Sequence, residues 1–404
     1  MTVPDQPEFK RAWKIVFASF CISAAGVAAA FTYTFGAFIK PLSAGFGWSR
    51  GQSQGFFVFL TIGILLSAPL VGWLVERIGV RRVILMSAAA YAAATATMAL
   101  TTQALPIFYA FGFLIAFLGA GTTSVAFNRA IVVWFDRKRG LAMGIAISGS
   151  GLFSILGPVY VTWLVESYGW RAGFFGLALL PAFISLPVTF WLMHMPPAAT
   201  PASSPEAGEQ GQGVRAALTS RRFWCICASF FMFGMGTGGL FPNLMPLLTD
   251  QGLTPQRAAQ IASLSGFAII ASRLGAGYLV DRIWAPLVTA ILVGTPSIFC
   301  VAMALWGGNQ IVIILFTISI GMAAGSEFDL VGYLVSRYFD LKNYSAIYGI
   351  LYGLFTTASG IAPPIYGAMF DALGNYTLAL MVAGACFAGG AALILTLGPY
   401  PKRE

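Results

Sequence analysis

The sequence predicts an all-α polytopic membrane protein with twelve transmembrane helices in two pseudo-symmetric six-helix bundles. Of its 404 residues, 58% are hydrophobic and only 9% are charged, with a mean hydropathy of +0.80. Soluble domains keep about a quarter of their residues charged, so this chain cannot cover a water-facing surface. Apolar runs long enough to cross a bilayer recur along the chain. The two halves of the chain also repeat each other.

The apolar runs are far longer than the roughly ten alternating residues of a membrane β-strand. A spanning segment must also satisfy its own backbone hydrogen bonds, so we expect helices. The predicted spans lie near 14–39, 53–74, 82–101, 105–134, 141–165, 171–193, 223–248, 256–280, 285–306, 309–336, 345–369 and 376–397. We expect bundles at 1–193 and 223–404. Residues 194–222, rich in Pro, Ala, Ser and Gly, predict a flexible cytoplasmic linker.

The distribution of Lys and Arg predicts the orientation of the chain. With the N-terminus inside, seventeen of these residues fall in inner segments and only four in outer loops: Lys40, Arg50, Arg171 and Arg257. We therefore expect an integral protein of the plasma (bacterial inner) membrane, in contact with lipid, with both termini cytoplasmic.

Several classes of function are disfavoured by the sequence. The formal charge of +9 comes from Lys and Arg scattered between apolar runs and not from a basic stripe, so no nucleic-acid partner is expected. The phosphate-binding pattern G-x-x-x-x-G-K-[ST] is absent, so no nucleotide is expected. The five cysteines lie within apolar stretches and imply neither a disulfide framework nor a metal site. We expect no cofactor and no enzymatic activity.

Three landmarks recur at an offset of about 205 residues. The segment 72–82, GWLVERIGVRR, corresponds to 277–283, GYLVDRI. The segment 134–138, WFDRK, corresponds to 338–342, YFDLK, and 166–170, ESYGW, corresponds to 371–375, DALGN. Two homologous bundles related by an axis along the membrane normal are typical of transporters that rock between two states.

The segment 72–82 resembles the loop signature of the major facilitator superfamily, G-x-x-x-D/E-R-x-G-x-R/K-R/K. We expect the glycines to let the turn pack tightly, and the acid and arginines to form an ion-pair clasp at helix ends. Asp136 and Asp340 are the expected counter-charges. The resulting predicted gate comprises Gly72, Glu76, Arg77, Gly79, Arg81, Arg82, Asp136, Gly277, Asp281, Arg282 and Asp340. The resemblance covers the whole chain and implies the major facilitator fold.

Within that superfamily, the chain resembles the monocarboxylate porter and oxalate:formate antiporter branch. Residues 31–35, FTYTF, are similar to the aromatic segment of that branch, and 134–144 are similar to its loop into helix 5. Arg273, four residues before Gly277, matches the position of its carboxylate-binding arginine. Ala37 stands where a lysine is often found. The helix 4 arginine of proton-driven drug exporters is absent, with Ile115 and Phe117 near its place.

Charged residues inside the spans carry the local evidence for function, because a charge in hydrocarbon costs at least a few kcal/mol. Arg273 lies about eight residues, or roughly 12 Å of helix, from Asp281. It therefore needs a partner or a water-filled cavity, and its planar guanidinium can bind a carboxylate with two hydrogen bonds. The alternative is a permanent ion pair with Glu327 or Asp329.

Glu327 and Asp329 are the candidates for proton coupling. They are two residues apart, about 200° on a helix, so they cannot share a face. Gly321, Gly325, Asp329 and Tyr333 recur every four residues and predict a close helix contact. This makes Asp329 the expected interhelical anchor and Glu327 the expected proton carrier, since desolvation would favour its neutral form.

Substrate contact has four weaker candidates: Tyr33, Asn128, Ser265 and Tyr352.

Glycines at 144, 149, 151 and 157 predict a packing face on helix 5.

The sequence as a whole predicts a secondary active transporter of a small organic anion, above all a monocarboxylate, by proton-coupled symport with alternating access. Three alternatives stay open: efflux of a drug-like amphiphile, a non-transporting membrane sensor of the same fold, and a membrane enzyme. Arg273 with only two deep acids, together with the missing helix 4 arginine, disfavours the first. The short linker disfavours the second, and the absence of a catalytic cluster disfavours the third.

Overall fold

The computed structural model describes residues 8–100, 104–135, 139–194, 217–280, 282–339 and 344–400. Throughout these ranges the regular structure is helical, which confirms the predicted fold class. Three residues of the predicted gate, Asp136, Asp281 and Asp340, lie outside the described residues, as does most of the predicted linker.

In the described ranges, twelve long helical segments follow one another along the chain, and a shorter helix, Gly36–Phe46, lies between the first and the second. The first, α1, is bent and consists of Glu8–Ala24 and Val27–Thr34. Ten more are long and apolar enough to cross a membrane: α2 (Arg50–Ile78), α3 (Val80–Ala99), α4 (Leu105–Ile131), α5 (Leu141–Tyr168), α6 (Trp170–Leu192), α7 (Arg221–Asp250), α8 (Pro255–Val280), α9 (Ala285–Trp306), α10 (Gln310–Tyr338) and α12 (Thr377–Leu395). The remaining segment, α11, is the 30-residue helix Tyr344–Leu373. At a rise of about 1.5 Å per residue, it is also long enough to span.

Residue contacts divide the chain into two compact units. Unit 1 comprises Met1–Leu42 and Phe59–Ala202, and unit 2 comprises Ser43–Val58 and Ser203–Glu404. The sequence placed all of 1–193 in one bundle, whereas contacts group Ser43–Val58, including the start of α2, with unit 2. The bundle boundaries stay a prediction.

Within unit 1, α1 and α4 are both interrupted where they meet. The two parts of α1 are bent by 40°, and α4 contains a 3-10 turn at Ala120–Thr122. The break in α1 leaves the amide of Val27 without a partner in its own helix, and the Thr122 hydroxyl accepts it at 3.3 Å. At Gly26 a Cβ would lie 2.9 Å from the Thr122 carbonyl, so only glycine permits this approach. Irregular backbone is tolerated at membrane depth when another helix satisfies it in this way.

The predicted packing face of α5 exists, but its glycines differ in surroundings. At Gly149 a Cβ would collide with the backbone carbonyl of Phe20 on α1, whereas at Gly144 it would meet nothing within 4 Å. Gly149 is therefore required for the contact between α1 and α5, and Gly144 is not.

We predict opposite effects of alanine at these two positions. Gly149→Ala should lower the free energy of unfolding by about 1–3 kcal/mol, because the backbone of Phe20 must shift. Gly144→Ala should leave it unchanged or raise it by up to about 1 kcal/mol, because alanine is the better helix former. Unfolding titrations of the two detergent-purified variants would measure the difference. Equal stabilities would contradict the assigned packing.

Candidate functional site

Arg273 lies in the interior of unit 2, on α8. The residue is 9% exposed, and its Nε lies 3.3 Å from a carboxylate oxygen of Asp329 on α10. The same Nε donates to the backbone carbonyl of Gly325 at 3.2 Å. Its Nη1 is buried and has no hydrogen-bond partner in the described chain. The guanidinium therefore has donor capacity that Asp329 does not use.

The predicted stripe on α10 packs against α8 along its whole length. A Cβ at Gly321 would collide with the backbone of Ser265, and one at Gly325 with the backbone of Ile269. At the far end of the stripe, the Tyr333 hydroxyl donates to the Val280 carbonyl at 3.0 Å. Small residues thus bring the two helices together, and this close approach places Asp329 beside Arg273.

Glu327 lies two residues before Asp329 and is 4% exposed. The structure gives Glu327 no ion pair with any described residue. Its Oε2 lies 3.2 Å from the hydroxyl oxygen of Thr237 on α7, and that oxygen also lies 3.0 Å from the Phe233 carbonyl. A hydroxyl carries one hydrogen, so Thr237 can donate to only one of these two acceptors at a time.

Aromatic side chains from α11 contact α10 between the two acids. The ring of Phe328 lies 5.4 Å from that of Tyr352 and 4.9 Å from that of Phe355, in an edge-to-face arrangement. Helices α7, α8, α10 and α11 thus contribute to one polar centre bordered by aromatic rings.

The other predicted substrate contacts have different surroundings. The Ser265 hydroxyl is buried and donates to the Ala262 carbonyl at 2.6 Å within its own helix. Together with the packing of its backbone on Gly321, this arrangement serves the helix contact. In unit 1, Tyr33 is half-buried. The Oδ1 of Asn128 is buried and accepts no hydrogen bond from any described residue.

The predicted gate segment of unit 1 makes contacts that the sequence did not predict. Glu76 and Arg77 are exposed, and neither forms an ion pair within the described ranges. Instead, the Arg77 guanidinium lies 4.4 Å from the centroid of the Trp73 ring. Arg81 donates to the backbone carbonyl of Phe190 at the end of α6. Among the described residues, these two arginines therefore make cation–π and backbone contacts. The ion-pair clasp stays a prediction, because its expected counter-charges lie outside the described residues.

The glycines of the gate segments also correct the expectation of tight packing. A Cβ at Gly72 or at Gly277 would meet nothing within 4 Å. Gly79 is required for another reason: its φ of +87° at the start of α3 lies in a region that other residues rarely adopt.

The second gate segment repeats the aromatic contact of the first. Arg282 lies 3.6 Å from the centroid of the Tyr278 ring, at positions corresponding to Arg77 and Trp73. Arg82 and Arg282 are both exposed. An arginine four residues after an aromatic residue is therefore the shared feature, and the sequence contained this pattern in both copies.

Two groups of residues were missed by the sequence analysis. Thr237 was missed because threonine is common in membrane helices, where its hydroxyl usually donates to a backbone carbonyl of the same helix. Arg50 had been counted only as an outer-loop charge, but its guanidinium pairs with Asp250 at 2.6 Å. Their separation of 200 residues leaves no local signal.

At least ten helices that are long and apolar enough to cross a membrane, two repeated loop segments and a buried arginine paired with an acid on the neighbouring helix are typical of a polytopic membrane transporter. The chain belongs to the Major Facilitator Superfamily, whose family model matches residues 20–350.

The chain is also similar to curated members of the monocarboxylate branch. Monocarboxylate transporter 13 of Rattus norvegicus is 23% identical over 401 residues, covering 97% of this chain and 90% of that relative. Monocarboxylate transporter 11 of Homo sapiens is 24% identical over 408 residues, covering 95% and 82%. Monocarboxylate transporter 13 of Bos taurus is 26% identical over 273 residues, covering 65% of this chain and 61% of that relative.

Among solved structures, the chain is similar to a bacterial homolog of the human lysosomal transporter Spinster, in an inward-facing and unoccupied conformation. The TM-score is 0.68 at 14% identity, with 98% of this chain and 95% of that chain covered. At this identity the likeness supports the fold.

Proposed function

We propose that this protein is a proton-coupled symporter of a small organic anion, above all a monocarboxylate, working by alternating access. The observation that carries the proposal is Arg273, a buried guanidinium with unused donors next to a carboxylate that a substrate can replace. Similarity to proteins named monocarboxylate transporters supports the same substrate class.

The carboxylate of the substrate competes with Asp329 for Arg273. Asp329 contacts the Nε of Arg273, while Nη1 has no hydrogen-bond partner among the described residues. The side chain of Asp329 is 41% exposed, so water can solvate it after displacement. A substrate carboxylate can engage two guanidinium nitrogens at once, which is the stronger geometry. Tyr352 and Phe328 border this position. Within unit 1, Tyr33 and Asn128 stay proposed candidates for substrate contact.

Glu327 carries the coupled proton. When it is ionised, the hydrogen of Thr237 points to Glu327. When it is protonated, Glu327 donates to Thr237, and Thr237 donates to Phe233. In both protonation states Glu327 and Thr237 stay hydrogen-bonded to each other, and only the direction of the bond changes. Glu327 can therefore take up and release a proton without any rearrangement of the helices. Without a paired cation, a buried carboxylate is costly, which favours loading before closure.

The loop segments after α2 and α8 form the gate on the cytoplasmic side. Gly79 shapes the first loop, and the Arg77–Trp73 and Arg282–Tyr278 pairs hold the arginines against their helix ends. Asp136, Asp281 and Asp340 are the proposed counter-charges of this gate. The excess of Lys and Arg in these segments supports cytoplasmic termini in a plasma (bacterial inner) membrane.

The proposed function is tested by uptake into proteoliposomes. Small radiolabelled monocarboxylates should accumulate when the outside is acidic, and the corresponding neutral amides should not. Accumulation of amphiphilic cations in place of any carboxylate would identify the drug-efflux alternative and reject the proposal.

We predict that Arg273→Lys lowers monocarboxylate uptake by at least about tenfold although the charge is kept. The planar two-point contact is lost, and one hydrogen bond to a charged group contributes about 1.5–3 kcal/mol. Initial rates in proteoliposomes measure the loss. Arg257→Lys is the matched control, because Arg257 is an exposed arginine at the start of the same helix. Near-normal uptake by Arg273→Lys would remove Arg273 from the binding site.

We predict that Glu327→Gln separates exchange from accumulation. Glutamine keeps the size of the side chain and its hydrogen bond with Thr237 but cannot titrate, so gradient-driven accumulation should vanish while substrate counterflow continues. Asp329→Asn should retain accumulation with an altered KM. The opposite result for the two variants would assign the coupled proton to Asp329.

A further inference from the structure

The start of α2 is held by a cluster of polar residues that belongs entirely to unit 2. Its partners come from α7, from the C-terminal end of α11 and from the residue preceding α12. We call this cluster the outer clasp, since the positive-inside count places it on the extracytoplasmic side: Arg50, Gln54, Asn243, Asp250, Asp371 and Tyr376.

Arg50 is the centre of the partly exposed layer of the clasp. It donates to both carboxylate oxygens of Asp250, at 2.6 Å and 3.3 Å, and to the Tyr376 hydroxyl at 3.0 Å. Its guanidinium also lies 3.5 Å from the centroid of the Phe370 ring. Side-chain exposure is 13% for Arg50 and 25% for Asp250, so water reaches the pair.

A second layer of the clasp is fully buried. Gln54 and Asn243 exchange two side-chain hydrogen bonds, at 2.7 Å and 2.8 Å, and both residues are 0% exposed. The Tyr376 hydroxyl donates to the same Asn243 oxygen at 2.9 Å, which connects the two layers. Burial raises the pKa of the Tyr376 phenol, so it remains a neutral donor.

A third set of contacts joins the backbones. Asp371 accepts from the amides of Arg50 and Gly51, at 2.9 Å and 2.8 Å. Gly51 and Gly367 face each other, and a Cβ on Gly367 would lie 2.7 Å from the Gly51 nitrogen. The two helices therefore approach as closely as their backbones permit.

The helix end would survive loss of these contacts. Ser49 and Gln52 form a capping box, in which the Ser49 hydroxyl accepts from the Gln52 amide and the Gln52 side chain accepts from the Ser49 amide. Of the four free amides at a helix N-terminus, two are thus satisfied locally and two by Asp371. When Asp371 leaves, only two amides need water, and α2 stays helical.

The composition of the clasp suits a contact that opens. Hydrogen bonds between protein groups exchange for hydrogen bonds with water at a small net cost, whereas opening an apolar contact exposes surface that water disfavours. In a chain that is 58% hydrophobic, a permanent contact would be built more simply from apolar side chains. Contacts also group Ser43–Val58 with unit 2, while the rest of the same helix, from Phe59, groups with unit 1.

We propose that the outer clasp is the extracytoplasmic gate of this transporter and that it opens and closes once in each transport cycle. The inference rests on the proposed alternating-access function. In the state described by the structure the clasp is closed, and its release frees the start of α2 from unit 2.

Ser53 provides a reporter of clasp opening. It lies between Arg50 and Gln54 on α2 and is 0% exposed. In a full-length background whose five native cysteines are replaced, Ser53→Cys would be labelled in proteoliposomes by a membrane-impermeant maleimide. The parent should label slowly. Asp250→Asn with Asp371→Asn should raise the labelling rate at least about tenfold, because a shift of that size needs only a few lost hydrogen bonds.

Arg257→Gln is the matched control, since it also removes an exposed charge on the predicted outer side and leaves the clasp intact. It should label at the parent rate. The single variants, Asp250→Asn and Asp371→Asn, serve as the test if the double variant fails to fold. Each should label faster than the parent, by less than the increase expected for the double variant. Folded clasp variants that label at the parent rate, or a control that labels as fast as they do, would overturn the proposal.

The labelling assay does not require a known substrate. If no carboxylate is transported but the clasp variants label faster, the substrate proposal fails and the gate stands. If monocarboxylates are transported as proposed but labelling does not change, the gate assignment fails alone.

Discussion

Hydrocarbon offers no hydrogen-bond partner, and this constraint governs where polar side chains lie in the chain. Most hydroxyls within the spans donate back to their own helix, as Thr34 does to Ala30 and Thr95 to Tyr91. Such groups cost little and carry no information about function. Arg273 and Glu327 depart from this pattern, because neither can be satisfied within its own helix. Their contacts with neighbouring helices are what distinguishes the interior of unit 2 from ordinary membrane packing.

The geometry around Arg273 depends on residues that have no polar side chain. Gly321 and Gly325 let α8 and α10 touch through their backbones, and Ser272, next to Arg273, donates to the Met322 carbonyl at 2.7 Å across this contact. A larger residue at either glycine would move Asp329 and the Gly325 carbonyl away from the guanidinium together. The ion pair, the backbone hydrogen bond and the helix spacing therefore depend on one another, and this arrangement leaves the Arg273 Nη1 without a hydrogen-bond partner among the described residues.

Much of the fold could be predicted because the thickness of a bilayer fixes the length of apolar sequence that each spanning helix needs. The stripe of residues at every fourth position of α10 could also be predicted, because helical periodicity can be read within a short segment. Glycines on such a stripe commonly mark a close contact between helices. The contacts of the loop segments were not predictable in the same way: charges of opposite sign near each other suggested ion pairs, but Arg77 and Arg282 lie on Trp73 and Tyr278 one turn earlier. An exposed arginine loses less hydration over an aromatic face than in a close ion pair, and the aromatic partner is fixed by the helix itself.

The outer clasp could not be predicted from the sequence because its bonded partners are 133 to 326 residues apart, and the internal repeat gives no help. At the repeat offset of about 205 residues, Asp371 corresponds to Glu166, but Arg50 corresponds to Pro255, the first residue of α8. Proline has no amide hydrogen, so the two-amide contact that Asp371 makes with Arg50 and Gly51 cannot be formed at the corresponding positions of the other half. The start of α8 is instead capped by its own Thr254, which accepts from the Arg257 amide. The two halves repeat the loop segments but do not share this contact, so the clasp has no counterpart of the same chemistry at the start of α8.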